Sequence, residues 1–350
     1  MTTPPPHDGL GLRGRGVSYD VGFVNKGTST HEPFDPEIVK REMQVIREEL
    51  HCNAVRVWGG VQERLKIAAT HAANAGLEVW YSPFTTDLTA EQMLDFLAEA
   101  AEHCERLRTA GTDVVLVLGA ELSLVQKGFF PGETWMDRLA FLTPGNPELP
   151  PLVAQVPAKL DAFFGEAVPL VRARFGGRIS YASLSFERID WTPFDYVGYD
   201  LYPDLVDGEY VSAHAAVEAL RAHGKPVAIT ELGLPAYRGA AAIAGRASDA
   251  IVEWDAATGM PAGLRGDPVR DEAEQADYVT GLLELLDRAG VDSAFVYTFA
   301  SRHFRGEHDL ASLGVVRVLR EGETGTTFPG LPWEPKQAFR ALAELYGAAR

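Results

Sequence analysis

Residues 113–121 read DVVLVLGAE. Five consecutive aliphatic residues, Val114 to Leu118, leave no polar face for solvent, so the stretch reads as a strand covered on both sides. Strands of that kind belong to parallel sheets, whose members are joined by helical crossovers of about a dozen residues or more. The sequence just upstream has that form. Thr89 and Gln92 are spaced as a capping box, and Gly111 stops the helix where the strand begins.

Working outward, the same alternation recurs along the chain. The strand-like runs are GVSYDVGF (16–23), NAVRVWG (53–59), LEVWYSPF (77–84), DVVLVLGAE, ISYASLSFE (179–187), YVGYDLYP (196–203), PVAITELG (226–233) and SAFVYTFA (293–300), eight in all. Helix signals separate most of them. Asp35 and Pro36 precede an apolar stripe of Val39, Met43, Ile46 and Leu50, and Asp271 precedes Tyr278, Leu282 and Leu285. Only the fifth connection, RIDWTPFD, is too short for a helix. Eight such units predict an α/β fold, a (β/α)8 TIM barrel, a fold that typically takes about 250 residues before insertions. The alternative is a doubly wound open sheet, but no glycine-rich phosphate fingerprint follows the first strand. Residues 1–14 read as a flexible lead-in and 15–350 as one barrel domain. The connections after strands 4 and 7, residues 122–154 and 234–270, are longer than a barrel requires and read as walls or lids of its mouth.

The formal charge of −17 argues against a nucleic-acid or anionic-membrane partner, since phosphate binding needs a basic field. A small-molecule or oligosaccharide substrate fits better. Two cysteines cannot make a disulfide framework, and MTTPPPHDGL has neither the basic start nor the apolar stretch of a secretion signal. No apolar run is long enough to span a bilayer, and a cytoplasmic location is expected.

In a barrel, only side chains near the C-terminal strand ends reach the mouth. That filter selects Tyr19 and Asp20, Arg56 and Trp58, Glu121, Ser185 and Glu187, Asp200 and Tyr202, Glu231, and Phe299, Arg302 and His303. Glu121 and Glu231 both end apolar strands, three strands apart, and so can face each other. Such a pair suits glycosidic bond cleavage, where a protonated carboxyl serves the leaving oxygen and an ionised one attacks. Trp135 and Trp254 in the two long connections are candidate sugar-stacking groups. His303, Glu307, His308 and Asp309 match no zinc spacing and read as a polar loop wall, so no metal and no cofactor is expected.

NAVRVW, LGAELS, VGYDLYP and AITELG, in that order, resemble the second, fourth, sixth and seventh strands of the clan A retaining glycoside hydrolases, the cellulase, mannanase and galactanase-like superfamily. The resemblance runs from about residue 15 to the end of the chain. It implies a (β/α)8 barrel with Glu121 as acid/base and Glu231 as nucleophile. It further implies Arg56 and Tyr202 as partners of the nucleophile, and Trp58 or Phe299 in a sugar-facing wall. Two departures stand out. Ala120 occupies the place of the family's usual Asn, which holds the sugar 2-hydroxyl, and Phe299 is what YTFAS offers in place of a strand-eight Trp. Two other readings therefore stay open: the same acid and base acting on a non-sugar metabolite, and a non-catalytic barrel that binds a ligand.

Overall fold

The computed structural model describes residues 10–142 and 145–348. Its barrel strands are β1 (Gly14–Asp20), β2 (Ala54–Gly59), β3 (Glu78–Pro83), β4 (Val114–Ala120), β5 (Arg178–Ala182), β6 (Val197–Asp200), β7 (Val227–Leu232) and β8 (Ser293–Val296). All pair in parallel, in the order β5-β4-β3-β2-β1-β8-β7-β6. A short bridge between Ser183 and Tyr199 nearly closes the ring from β5 to β6. Gly198 permits that approach, because a Cβ there would lie 2.1 Å from the Tyr181 carbonyl.

Helices pack outside the ring: α1 (Pro36–Glu48), α2 (Gln62–Asn74), α3 (Ala90–Thr109), α4 (Val156–Arg172), α5 (Ala213–Arg221), α6 (Glu272–Arg288) and α7 (Gln337–Gly347). Their starts follow from the caps. The Asp35 side chain accepts the Glu37 N–H, Thr89 and Gln92 form both bonds of the capping box, and Asp271 accepts the Glu274 N–H. The fifth connection, residues 183–196, contains no α-helix.

Period-two alternation decides which strand residues enter the barrel. Ala54, Trp80, Val115, Val117, Ala228 and Phe295 form the inner cluster, while Val17, Val55, Val79, Leu116 and Ile229 face outward into the larger core under the helices. This phase overturns the expectation for Tyr19, which points outward and donates to Glu42 of α1. Phe299, beyond the end of β8, is also no part of a sugar wall. It is buried behind the barrel, stacked on Tyr19 at 6.0 Å and edge-on to Trp333 at 5.2 Å. Arg302 joins them by pairing with Glu42, whose other oxygen accepts the Trp333 indole N–H at 2.7 Å. Glu42→Ala would strand the Arg302 charge in the interior. A loss of about 3 kcal/mol is expected, read as a lower urea midpoint at unchanged m-value.

Of the expected lead-in, residues 1–9 lie outside the described residues. Leu10 and Leu12 are buried and Gly14 already opens β1, so residues 10–14 are packed rather than loose. Among the described residues no helix is long and apolar enough to cross a membrane. Both cysteines are buried free thiols.

Among the excursions beyond the C-terminal strand ends, three meet over the cleft. Residues 121–155, between β4 and α4, carry short helices at Leu122–Val125, Trp135–Ala140 and Leu149–Val153. Residues 233–271, between β7 and α6, include an antiparallel hairpin of Val252–Trp254 with Pro261–Leu264. A third, not anticipated from the sequence, is a small hairpin after β1 that pairs Val24–Asn25 with Thr28–Ser29.

Candidate active site

Glu231 sits where the β7 ladder slips. Its register shifts between Ile229 and Glu231 against β6 and between Ile229 and Leu232 against β8, a bulge that re-aims the side chain into the mouth. The Arg56 Nη1 donates to Oε1 at 2.6 Å and the Tyr202 hydroxyl to Oε2 at 2.8 Å. Arg56 is fully buried on β2 and is fixed by further bonds from Nε to the Ser82 hydroxyl at 3.1 Å and from Nη1 to the Thr230 carbonyl at 3.3 Å. Asp200 was expected to bind at the cleft surface but lies behind Glu231 instead. There it accepts the Thr230 hydroxyl at 2.6 Å, and burial, then the Glu231 charge, push its carboxyl well above the usual range.

Glu121 ends β4 with a left-handed backbone, φ +48°, which a β-carbon disfavours. The preceding turn needs Gly119, where φ is +124° and a Cβ would lie 2.7 Å from the Leu122 side chain. The following amides are held from below: the Leu122 N–H donates to the Tyr181 hydroxyl at 2.8 Å and the Ser123 N–H to Glu187 at 3.2 Å. Glu187 also accepts the Ser123 hydroxyl at 2.6 Å and the Tyr181 hydroxyl at 2.9 Å. Glu187 had been expected in the mouth. β5 ends at Ala182, however, so the chain folds back and turns Glu187 beneath the Glu121 turn, where its carboxyl holds that turn rather than facing the mouth. In Glu187→Gln one acceptor becomes a donor facing a donor. A loss of about 1–3 kcal/mol of stability is expected, read as a lower urea midpoint.

The two glutamates have opposite environments. Among the described residues no side-chain donor reaches the Glu121 carboxyl. Burial, reinforced by Asp200, Glu231 and Glu187, pushes its pKa well above the ordinary carboxylate range. Glu231, by contrast, is clamped by a guanidinium and a phenol.

The cleft over them has two connected compartments. The inner, about 340 Å³, is lined by both glutamates with Trp58, Tyr202, Tyr297 and His303. The outer, about 640 Å³, shares Glu121, Trp135 and His303 and adds Met136, Trp254 and Met260. An arc of aromatic rings runs from one to the other, Tyr297, Trp58, Phe84, Phe23 and Trp135, with successive centroids 5.2–5.5 Å apart. Among the described residues, the buried Trp58 indole N–H and His303 Nδ1 have no hydrogen-bond partner. Burial lowers the imidazole pKa to about 4, so it is neutral near pH 7.

No family model matches the sequence, and no curated protein does. Solved structures match along nearly the whole chain. A GH113 beta-1,4-mannanase is 15% identical with a TM-score of 0.60, the match covering 96% of this chain and 99% of that one. The GH113 beta-mannanase of Alicyclobacillus acidocaldarius is 14% identical, TM-score 0.57, covering 97% and 98%. A beta-glucuronidase of Parabacteroides merdae is 14% identical, TM-score 0.55, covering 96% of this chain and 37% of the larger enzyme. The chain has a (β/α)8 barrel fold similar to that of these glycoside hydrolases.

In this barrel, Arg56, Trp58, Glu121, Tyr202 and Glu231 come together at the C-terminal strand ends, His303 and Trp135 reach them from loops, and Trp254 joins in the outer compartment. The loop cluster after β8 does not converge. Asp309 pairs with Arg270 and Lys336 inside the protein, Glu307 pairs with Arg320 outside, and only His303 reaches the cleft. Three aromatic residues of the cleft went unrecognised in the sequence, Phe23, Phe84 and Tyr297, besides apolar lining such as Met136 and Met260. Tyr297 had a signal, because it lies two positions after inward-facing Phe295 and so continues the inward phase. Phe23 and Phe84 are each the last residue of a strand-like run.

Proposed function

We propose that the protein is a retaining glycoside hydrolase or transglycosidase in which Glu231 is the nucleophile and Glu121 the acid/base. The observation that carries this reading is the opposed state of the two glutamates. Both oxygens of Glu231 are occupied as acceptors, which suits a carboxylate, while Glu121, half-buried in the cleft and facing the charges of Asp200, Glu231 and Glu187, is held above the ordinary carboxylate range, which favours the protonated acid. In the first step Glu121 gives its proton to the glycosidic oxygen as Glu231 attacks the anomeric carbon and the aglycone departs. Glu121, now ionised, takes a proton from water, which attacks the same carbon and releases Glu231. Two displacements retain the configuration, and neither needs a metal or an organic cofactor. Trp58 and Tyr297 would flank the sugar, while His303, Trp135 and Trp254 would meet the substrate further out.

The fold neighbours named as mannanases and a glucuronidase agree in reaction class. A neutral glycoside or short oligosaccharide also agrees with the net charge of −17. Two tests apply. Proton NMR of the first-formed product should give the anomer of the substrate; the inverted anomer would refute a double displacement. The carboxyl groups should lie about 5–5.5 Å apart.

One observation favours a second reading, the same pair acting on a non-sugar metabolite. Ala120 is buried in the inner cluster and offers no hydrogen bond where the family's Asn would meet the 2-hydroxyl. Turnover of such a metabolite, lost in Glu231→Gln and absent on all aryl glycosides, would establish it.

A further inference from the structure

The hairpin after β1 crosses the mouth. Asp20 pins its base by accepting the Gly22 N–H and the Thr30 hydroxyl, both at 2.7 Å. Its tip reaches two other excursions. Asn25 Oδ1 accepts the Trp135 indole N–H at 2.9 Å, and the Lys26 ammonium donates to the Ala256 carbonyl in the β7 excursion. Asn25 also lies directly on Gly259, where a Cβ would be 2.0 Å from its Nδ2. A loop from strand 1 is thus joined to loops from strands 4 and 7, and the outer compartment lies under an arch rather than along an open groove.

The two compartments also differ in which carboxyl they see. Glu231 lines only the inner one and Glu121 lines both. Resting on the assignment of these two residues above, we infer that the substrate is a short glycoside that enters end-on, with a single sugar over Glu231 and an apolar or aromatic aglycone in the outer compartment. The leaving oxygen must face Glu121, which puts the aglycone on the outer side. Of the polar groups that line the outer compartment alone, Lys26 holds Ala256, Asn25 holds the Trp135 indole and the Trp254 indole N–H donates to Asp249 at 3.2 Å, whereas Glu121 and the open His303 Nδ1 belong to the part shared with the inner compartment. The faces left for a ligand are those of Trp135, Met136, Met260 and Trp254. The interior of a polysaccharide, which must leave the site at both ends, is excluded by the arch.

The experiment compares kcat/KM of the intact protein on 2-phenylethyl glycosides, on the methyl glycosides of the same sugars, and on the corresponding polymers; both small aglycones leave as alkoxides of similar basicity, so their ratio reads binding of the ring. Fluorosugar labelling of Glu231 is followed in parallel by intact mass. The phenylethyl glycoside of the accepted sugar should exceed its methyl glycoside by about a hundredfold, with no internal cleavage of polymer; two aromatic contacts of ordinary strength account for that ratio. In Trp254→Ala, a change at a half-exposed ring that folding tolerates, the phenylethyl-to-methyl ratio should fall about tenfold. A phenylethyl-to-methyl ratio near one, or internal cleavage of a polymer as efficient as phenylethyl glycoside turnover, with Glu231 labelled, would overturn this inference and leave the catalytic pair standing. No turnover and no label would overturn both.

Discussion

Glu231→Gln is expected to lower kcat on every accepted glycoside by about 10⁴-fold or more, because the amide cannot form the glycosyl ester and the remaining groups cannot replace it. Substrate should still bind, since Trp58, Tyr297 and His303 are untouched. The companion variant Glu231→Gly opens a space beside Arg56. Added azide should enter it and attack the anomeric carbon from the face the carboxylate occupied, opposite the departing aglycone, giving a glycosyl azide of inverted configuration from an activated substrate. Arg56 loses its partner in both variants, which is costly for a fully buried guanidinium. Thermal unfolding should be recorded beside the kinetics, so that lost chemistry is separated from lost fold.

Glu121→Gln should behave differently. Proton donation matters in proportion to the basicity of the leaving group. A fall of about 10² to 10⁴ is expected on alkyl glycosides and much less on dinitrophenyl glycosides, which leave unaided. The alkaline limb of the pH profile, set by the raised pKa of Glu121, should vanish. Stability should move the other way. A carboxyl whose pKa is raised by folding binds more protons in the native state than in the unfolded one, so its contribution is complete at low pH and falls as pH rises from the unfolded value through the folded one. The neutral amide removes that loss. Glu121→Gln should therefore melt higher than the parent at neutral and alkaline pH, with the difference shrinking towards pH 4.

The barrel was legible because its strands are written in one alphabet: VVLVL and the runs like it admit only a parallel sheet, and the helix caps at Asp35, Thr89 and Asp271 mark the crossovers. Glu121 was legible for the same reason, since it closes such a run, while Glu231 and Tyr202 lie in the C-terminal half of theirs and Arg56 at the middle of its own. What failed was phase. Tyr19 stands at a strand end but on the odd side of the alternation, so it faces α1. Phe299 lies three residues past a strand that stops at Val296 and Glu187 five past one that stops at Ala182, and beyond the first residue after the strand end the period-two rule no longer applies. The hairpin after β1 was hidden by its turn. Lys26 and Gly27 both take positive φ, +49° and +76°, a conformation that Asn-Gly would have announced and Lys-Gly does not.

The most direct test of the catalytic pair is to incubate the protein with activated 2-deoxy-2-fluoro glycosides and map the product by peptide mass spectrometry. One fluoroglycosyl group per chain, carried on Glu231 and absent in Glu231→Gln, is the predicted result. A label on another residue, or none across a broad panel of sugars with the protein folded, would contradict it.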